Sequence, residues 1–276
     1  MPTLDANGIT QHYELAGDPA NPPVLLISGL GGMAASWGLL PAHLAQKYHV
    51  ILPDQRGTGR TSRAAGGYTT EQLAADMAAL IEHLGVGAVH VVGASTGGAI
   101  GQHLALDHPA AIASLTMVSS FARFDAFVRR EFELRRKAAA EWDRAAQYSC
   151  YALFLFSPQF ARAHPDRVQA WIDRVLASPV GPDDQRIALA RIDMIAAHDT
   201  LPRLPEIGQP VLVLAGSHDF CTPVALSEEI AAAITGAELI VFPGAGHFVE
   251  IEREADFLAH VTGFIDRSVV GTARAR

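Results

Sequence analysis

The sequence predicts an α/β protein with a mostly parallel central sheet, helices on its faces and one all-helical insertion. Apolar runs such as residues 24–27 are too continuous for strands that expose one face, so they predict strands buried in a parallel sheet. Helical stretches alternate with these runs along most of the chain, as they do around parallel sheets. Residues 121–197 break the alternation, because they contain helical stretches and no convincing buried strand.

Composition and charge narrow the partners that we expect. The chain has 276 residues, of which 49% are hydrophobic, and a formal net charge of −8 without a tract of Lys or Arg. We therefore expect a small-molecule substrate and no nucleic acid. The N-terminus lacks the pattern of a signal peptide and no apolar run is long enough for a membrane span, which predicts a cytoplasmic protein without membrane contact. The oligomeric state stays open.

Cysteine and histidine usage gives no sign of a bound metal. The two cysteines, Cys150 and Cys221, are far apart and form no CxxC motif, so we interpret both as plain thiols. Histidines outside the motifs below are too scattered for a metal site, among them His83, His90, His103 and His108. The sequence thus predicts neither a metal nor a cofactor.

The first 120 residues are predicted to form a series of strand–helix units. The expected strands are residues 10–15, 24–27, 50–53, 89–93 and 115–118. The expected helices are residues 37–44, 70–84 and 96–107, with Gly85 as the C-cap of the second. Glycine-rich loops follow two of the strands, at residues 28–34 and 54–62.

The alternation resumes after the helical insertion. A strand at 211–214, a helix at 224–234, a strand at 239–242 and a helix at 254–265 follow. We therefore expect a core made of residues 1–120 and 198–276 and a helical cap made of residues 121–197. The cap should lie over the strand ends, where open α/β sheets bind ligands.

Residues 93–97 form a Gly-x-Ser-x-Gly frame where a predicted strand meets a predicted helix. At such an elbow the serine adopts a strained backbone conformation that exposes its hydroxyl, and side chains two positions away would collide with the turn. Gly93 and Gly97 meet this steric requirement. The helix that begins at Thr96 directs free N–H groups and its positive end at the space above Ser95, which suits a developing anion.

An aspartate and a histidine follow two later strands. Asp219 comes after strand 211–214 and His247 after strand 239–242, so the chain order is Ser95, Asp219, His247. The histidine would take the proton that makes the serine hydroxyl nucleophilic, and a buried carboxylate would orient the imidazole and stabilise its cation. We predict these three residues as the catalytic residues.

From about residue 9 to residue 267 the chain resembles the α/β-hydrolase superfamily, through the elbow and the ordered triad. Segments 28–32 and 54–59 are similar to those of the group that contains 3-oxoadipate enol-lactonases and the aminoacrylate hydrolase of pyrimidine breakdown. Segment 153–158 of the cap is similar to the latter enzyme. The resemblance implies the α/β-hydrolase fold and a hydrolytic activity.

The resemblance also implies an oxyanion hole built from the backbone N–H groups of Leu30 and Thr96. Loss of one such donor in other enzymes lowers the rate by about 100- to 1000-fold. The chain departs from the family at two positions, because Ser28 stands where many members have histidine and Thr96 where methionine or leucine is commoner. The subfamily therefore stays open.

The position of the triad acid has one alternative. Some relatives take the acid from just after the strand that precedes the cap, which in this chain falls near Ser119 and Ser120. Asp125 comes somewhat late for that position. We therefore prefer Asp219.

Apolar residues in the cap and beside the triad predict a mostly apolar pocket with few polar anchors. The predicted substrate-binding residues are Gly29, Trp37, Phe154, Phe156, Phe220 and Phe248, and further apolar cap residues are Trp171 and Met194. This pocket favours a serine hydrolase that cleaves a small carboxylic ester or lactone through an acyl-enzyme on Ser95. The resemblance implies instead a small carboxylate-bearing metabolite. At least one cap arginine would then have to turn inward to pair with it, and the cap arginines include Arg129, Arg130, Arg135 and Arg136.

Three other functions stay open. The first is hydrolysis of a carboxylate-bearing amide or enamine, or of a C–C bond, and the second is non-catalytic ligand binding on the same fold. The third is an NAD(P)-dependent oxidoreductase, because residues 29–34 fit the pattern G-x-G-x-x-A and Asp54 ends the next strand. That fingerprint usually opens the first strand of a domain and leaves the triad unexplained, which disfavours the third function.

Overall fold

One sheet of eight strands forms the centre of the computed structural model, which describes residues 2–274. In chain order the strands are β1 (Thr3–Ala6), β2 (Ile9–Ala16), β3 (Pro23–Ile27), β4 (His49–Pro53), β5 (Val89–Ala94), β6 (Ile112–Val118), β7 (Val211–Gly216) and β8 (Glu238–Phe242). Across the sheet their order is β1-β2-β4-β3-β5-β6-β7-β8. The β1–β2 and β2–β4 pairs are antiparallel, and the other neighbouring pairs are parallel.

Burial on both faces explains the continuous apolar runs of the inner strands. Strand β5 lies between β3 and β6, with Val92 opposite Leu26 on one side and Thr116 on the other. All three side chains are buried. The predicted, mostly parallel sheet is therefore confirmed. Strand β1 was not predicted, because its short exposed segment alternates between half-buried and exposed residues and has no apolar run.

Helices cover both faces of the sheet. They are α1 (Leu40–Leu44), α2 (Thr70–Leu84), α3 (Thr96–Asp107), α4 (Ala126–Glu141), α5 (Arg144–Leu155), α6 (Pro158–Ala163), α7 (Pro165–Ala177), α8 (Asp184–Ala197), α9 (Val224–Ala233), α10 (Val249–Glu252) and α11 (Glu254–Arg274). Short 3-10 helices span Ala34–Trp37, Pro109–Ala111 and Leu201–Glu206. Helix α2 ends at Gly85, whose φ of +62° is the left-handed conformation expected of a glycine C-cap.

Five consecutive helices, α4 to α8, lie between β6 and β7 and inside the range 121–197 that the sequence assigns to the cap. Three of these helices have an N-cap residue whose side chain accepts the backbone N–H of the residue three positions later. The N-cap residues are Asp125, Asp143 and Ser157. Helix α4 packs against α8 and α5, and α5 packs against α7. The division of the chain at 120/121 and 197/198 stays a prediction.

Two hydrophobic clusters fill the space on either side of the sheet. One joins β-strand residues such as Leu25 to α2, α3 and the cap helices. The other joins alternate residues such as Leu26 to α1 and α11. The parallel strands all point the same way, so the loops after β3, β5, β7 and β8 meet at one edge of the sheet. Of the described helices, none combines the length and the apolar character that a membrane span needs.

Candidate active site

Ser95 occupies the sharp turn between β5 and α3. Its backbone has φ +52° and ψ −116°, a strained conformation for a residue other than glycine. Backbone contacts hold it there: the Ser95 N–H donates to the carbonyl of Val118 at 2.7 Å, and the Ser95 carbonyl accepts from Gly98 N–H at 2.9 Å. The Ser120 hydroxyl donates to the same carbonyl at 2.8 Å. The strain is therefore maintained by the strands and helix around the turn.

The two glycines of the frame allow the close approach of neighbouring backbone. A Cβ atom at Gly97 would overlap the carbonyl oxygen of Ile27 in β3, and one at Gly93 would overlap the carbonyl oxygen of Gly97. The elbow thus needs glycine at both positions for steric reasons, as the sequence predicted.

Asp219 and His247 form a buried hydrogen-bonded pair at the ends of β7 and β8. Asp219 Oδ2 lies 2.9 Å from Nδ1 of His247. Asp219 Oδ1 accepts the backbone N–H groups of Cys221 and Thr222, both at 2.8 Å, and the Thr222 hydroxyl lies 2.9 Å from Oδ2. Because the carboxylate can only accept, the neutral form of the imidazole carries its proton on Nδ1 and has its lone pair on Nε2.

The Asp219 carboxylate also sets the protonation of His247. Burial alone would lower the pKa of this imidazole, but the adjacent carboxylate outweighs burial and raises the pKa well above 6.5. Burial raises the pKa of the nearby Cys221 thiol, so that group is neutral at neutral pH. His247 must therefore lose a proton before it can act as a base, and its activity as a base should rise with pH.

The alternative acid positions serve other purposes. Asp125 is exposed and caps α4, where its side chain accepts the Val128 N–H at 2.9 Å. Ser119 has a φ of +47°, and its carbonyl lies 2.8 Å from the hydroxyl of Thr222. The structure therefore brings Asp219, and not Asp125, to the histidine.

Ser95 is partly exposed at the turn, and within residues 2–274 its hydroxyl has no hydrogen-bond partner. Its bond to His247 is thus not formed in this state. Catalytic hydrogen bonds are often long without substrate and shorten when substrate binds.

Two backbone N–H groups beside Ser95 are free to bind an anion. In the part of the chain that the structure describes, neither the N–H of Leu30 nor that of Thr96 has an acceptor. Thr96 is the first residue of α3, so its N–H lies at the positive end of the helix. Gly29 touches the serine, because a Cβ there would lie 3.4 Å from the Cβ of Ser95. The loop after β3 and the elbow thus meet where an oxyanion hole is expected.

Aromatic side chains of the cap pack against Phe248, the residue that follows the histidine. The rings of Phe156 and Phe248 meet edge to face at 5.2 Å between centres, and Trp171 lies 5.7 Å from each. The Phe248 ring lies 5.8 Å from the imidazole of His247. Phe154 packs half-buried against the same cluster. These contacts give the side of the site next to His247 an apolar wall.

The other two predicted substrate contacts lie elsewhere. Trp37 is buried in the cluster formed with α1 and α11, apart from the cap cluster, because the 3-10 helix Ala34–Trp37 turns it onto that face of the sheet. Phe220 follows Asp219 in sequence, but its side chain is 41% exposed. The structure thus groups neither residue with the cap aromatics.

One of the four cap arginines named above points inward. Arg135 is buried, whereas the others are exposed: Arg129, Arg130 and Arg136. The Arg135 guanidinium lies between the rings of Phe132 and Tyr151, at 4.5 and 4.4 Å from their centres. Its Nη1 donates to Glu131 Oε1 at 3.2 Å and to the Cys221 sulfur at 3.1 Å. Through Cys221, this pair adjoins the triad.

Two carboxyl groups near His247 hold their protons more tightly than usual. Burial raises the pKa of Glu131 to about 7, even though Arg135 acts in the opposite direction. Burial also raises the pKa of Glu250 to about 7. In both, Oε2 has no hydrogen-bond partner among residues 2–274. Burial near His247 therefore disfavours the charged form of both carboxyl groups.

Sequence reasoning missed three polar residues of this region: Thr222, Glu131 and Arg191. Thr222 had a partial signal, because an aspartate in a turn often accepts backbone N–H groups that follow it, as Asp219 does from Cys221 and Thr222. The two cap residues had none, since a charged residue on a helix normally faces water.

The residues of the predicted dinucleotide fingerprint have other partners. The buried Asp54 accepts the backbone N–H of Ala34 at 2.8 Å and of Arg60 at 3.0 Å, so it holds two loops together. The glycines lead into the short 3-10 helix Ala34–Trp37. No long helix therefore starts where a pyrophosphate would need one. Within the described residues, no cluster of three or more His, Cys, Asp or Glu could hold a metal ion.

Comparisons with known proteins agree with this geometry. The model of the alpha/beta hydrolase fold family matches residues 22–254. A protein of Caulobacter vibrioides (strain NA1000 / CB15N), named "Putative carbamate hydrolase RutD", is 32% identical over 259 residues, 92% of this chain and 95% of that protein. The structure of the enol-lactonase from Burkholderia xenovorans LB400 is similar with a TM-score of 0.86 and 28% identity, over 96% of this chain and 100% of that one.

A second structure with similar coverage is Est816, described as an N-acyl homoserine lactone degrading enzyme. It has a TM-score of 0.83 and 28% identity, over 95% of this chain and 100% of that one. The predicted fold is confirmed by these matches, and the chain belongs to the alpha/beta hydrolase fold family.

Proposed function

We propose that the chain is a serine hydrolase that cleaves a small carboxylic ester or lactone through an acyl-enzyme on Ser95. One observation carries the proposal: the elbow serine, the Asp219–His247 pair and two free N–H groups all follow the ends of parallel strands, which lie along one edge of the sheet. Each part has a role in acyl transfer. The small-molecule substrate is part of this proposal, and the cytoplasmic location stays a prediction.

The reaction has two halves. In the first, His247 Nε2 takes the hydroxyl proton while Ser95 Oγ attacks the carbonyl carbon, and the carbonyl oxygen becomes an anion that accepts from Leu30 and Thr96 N–H. His247 then gives the proton to the leaving alkoxide as the C–O bond breaks. In the second half, water attacks the acyl-enzyme with His247 again as the base. The acid leaves and Ser95 recovers its proton.

The aromatic side chains beside His247 favour a substrate with an apolar acyl or alcohol group. Phe248 adjoins His247 and packs against Phe156 and Trp171, so an apolar part of the substrate would lie against these rings without leaving polar groups unpaired. Solved structures of similar fold include an enol-lactonase and a lactone-degrading enzyme, which supports lactones among the substrates.

A small carboxylate-bearing carbamate or amide is the second candidate substrate. Arg135 favours it, because this buried cap arginine adjoins Asp219 through Cys221, and a relative carries the name carbamate hydrolase. A substrate carboxylate would have to replace Glu131 as the partner of Arg135. The raised pKa of Glu131, about 7, makes that exchange easier, since protonation of Glu131 leaves the cation unpaired.

The two candidates are separated by one comparison. We would measure kcat/KM for a neutral short-chain ester and for its carboxylate-bearing counterpart, in the wild type, Arg135→Met and Arg136→Met. Arg136 is the matched control, since it follows Arg135 in α4 but is exposed and forms an ion pair with Asp193. A preference for the acid that disappears only in Arg135→Met supports the carbamate or amide. A preference for the neutral ester in all three proteins rejects it.

The nucleophile is tested by Ser95→Ala with p-nitrophenyl acetate under multiple-turnover conditions. We expect a folded protein with essentially no activity, because the elbow offers no other nucleophile. Ser149→Ala is the control, since Ser149 is exposed on α5 and its hydroxyl bonds only to a carbonyl of its own helix, Ala145, at 2.7 Å. Activity of Ser95→Ala above a few per cent of wild type would contradict the proposal. Absence of turnover in the wild type on esters, lactones and carbamates would favour a binding protein instead.

A further inference from the structure

The side chain of Arg191 crosses from the cap into the core. It belongs to α8, is only 2% exposed and is the largest of the fully buried side chains. Its Nε donates to the carbonyl of Leu30 at 2.9 Å, its Nη1 to the carbonyl of Arg56 at 3.3 Å, and its Nη2 to Oε1 of Gln55 at 2.5 Å. All three acceptors lie on the loops that follow β3 and β4.

Arg191 is a buried cation without a carboxylate partner among the described residues. The neighbouring Arg56 differs, because it forms a two-pronged pair with Asp76 at 2.9 and 2.8 Å. Burial lowers the pKa of Arg191 to about 10, which still leaves it charged at neutral pH. Burying an unpaired charge is costly, and packing alone would be better served by an apolar side chain.

One bond of Arg191 is made to the loop that carries the predicted oxyanion donor, and the other two are made to the loop after β4 that packs beside it. Arg191 and Gln55 donate to three carbonyls of the loop after β3. Gln55 Nε2 donates to the Ser28 carbonyl at 2.6 Å, the Gln55 backbone N–H donates to the Gly32 carbonyl at 2.8 Å, and Arg191 donates to the Leu30 carbonyl. Every second carbonyl from Ser28 to Gly32 thus has a hydrogen-bond donor from Gln55 or Arg191. Arg191 also orients the Gln55 amide, because its Nη2 donates to Oε1 and so leaves Nε2 to donate to Ser28.

The guanidinium packs directly on the loop. Gly32 has a φ of +71°, and a Cβ at that position would lie 2.9 Å from Nη2 of Arg191. The Leu30 N–H meanwhile has no acceptor within residues 2–274. The Leu30 N–H shares its peptide with the Gly29 carbonyl, which accepts the Gly32 N–H at 3.0 Å. The carbonyls on either side of that peptide, those of Ser28 and Leu30, are held by Gln55 and Arg191.

We propose that Arg191 is a positioning residue, which fixes the loop after β3 so that the Leu30 N–H faces the anion formed at Ser95. The cap then contributes to catalysis through the oxyanion hole as well as through substrate contacts. This inference rests on the proposed function.

The test compares Arg191→Met and Arg191→Lys with Arg186→Met. Arg186 is a close control, because it also lies on α8 and donates to core carbonyls, those of Ala64 and Ala65, but is exposed. Reactive Ser95 is first counted in each protein with a fluorophosphonate. The kcat for p-nitrophenyl acetate is then expressed per reactive serine, so that partial unfolding does not mimic a catalytic loss.

We expect Arg191→Met to lower kcat per reactive serine by about 10- to 100-fold, part of the loss seen when an oxyanion donor is removed, with little change in KM. Arg191→Lys should recover part of the loss, since it keeps the charge but not the three-way fork. Affinity for a trifluoromethyl ketone, whose adduct carries an oxyanion, should fall in parallel with kcat. Arg186→Met should match the wild type in all three measurements.

Equal kcat per reactive serine in Arg191→Met and wild type would overturn the inference, as would a loss confined to KM. Loss of all reactive serine in both Arg191 variants would assign the residue to folding alone and also overturn it. If the wild-type serine itself fails to react, the proposed function falls and this inference falls with it.

Discussion

Replacement of Asp219 by asparagine is expected to lower kcat by about 10⁴-fold, as the equivalent change does in serine proteases. Asp219 Oδ2 accepts the Nδ1 proton of His247 at 2.9 Å, which leaves the Nε2 lone pair free. An asparagine that keeps the two backbone bonds at Oδ1 must place its amide N–H₂ where Oδ2 stood. The amide then donates to Nδ1, the ring proton moves to Nε2, and the base is lost.

The loss corresponds to about 5 kcal/mol of transition-state stabilisation, at about 1.4 kcal/mol per tenfold change in rate. Stability should change far less. The backbone N–H groups of Cys221 and Thr222 keep their acceptor, and the Thr222 hydroxyl can donate to the carbonyl of Ser119 at 2.8 Å. The variant should therefore fold normally and be almost inactive.

The assay is steady-state hydrolysis of p-nitrophenyl acetate, with thermal unfolding measured alongside. Asp125→Asn is the matched control, because Asp125 caps an exposed helix end and should be nearly silent in activity. Full activity in Asp219→Asn would refute the assignment of the acid. A large loss in Asp125→Asn instead would move the acid to the start of the cap.

The remaining predictions concern pH and stability. Asp219 raises the pKa of His247 well above 6.5, so kcat/KM should fall as the pH decreases through a midpoint above 6.5 in a pH–rate profile. A midpoint below 6.5 would contradict the hydrogen-bonded pair. Burial raises the pKa of Glu131 from 4.5 to about 7, so between these values the folded protein keeps a proton that the unfolded chain loses, and stability falls as the pH rises. The Tm of Glu131→Gln relative to wild type should therefore increase from about pH 5 to pH 8, while exposed Glu133→Gln shows no such trend. Thr222→Val should lower the free energy of unfolding by about 1 kcal/mol in urea titrations, since it removes a buried hydroxyl from Asp219 and Ser119, and unchanged stability would show that these bonds contribute nothing.

Sequence was sufficient where the constraint is local. The elbow is predictable because Gly93 and Gly97 follow from the steric demands of one turn. Asp219 and His247 are recognisable because each directly follows an apolar strand, and parallel strands bring their ends to one edge. The buried strands could be predicted for the same reason, as their apolar runs need no knowledge of distant partners.

Sequence was insufficient where a side chain finds its partner far along the chain. Arg191 bonds to Leu30, 161 positions away, and Arg135 bonds to Cys221, 86 positions away. Both arginines lie on cap helices, where a charged side chain normally faces water, so the sequence alone indicates an exposed arginine at each position. Trp37 shows the converse: an aromatic residue close in sequence to the oxyanion loop is turned onto the other face of the sheet by a single 3-10 turn.

The central claim is that Ser95 becomes acylated during turnover. Rapid acid quench of the wild type mixed with excess p-nitrophenyl acetate, followed by mass analysis of its peptides, tests this directly. We expect a fraction of the protein to carry one acetyl group, located on Ser95, and none in Ser95→Ala. An acetyl group on another residue, or rapid turnover in which no acylated protein forms at any time after mixing, would contradict the account.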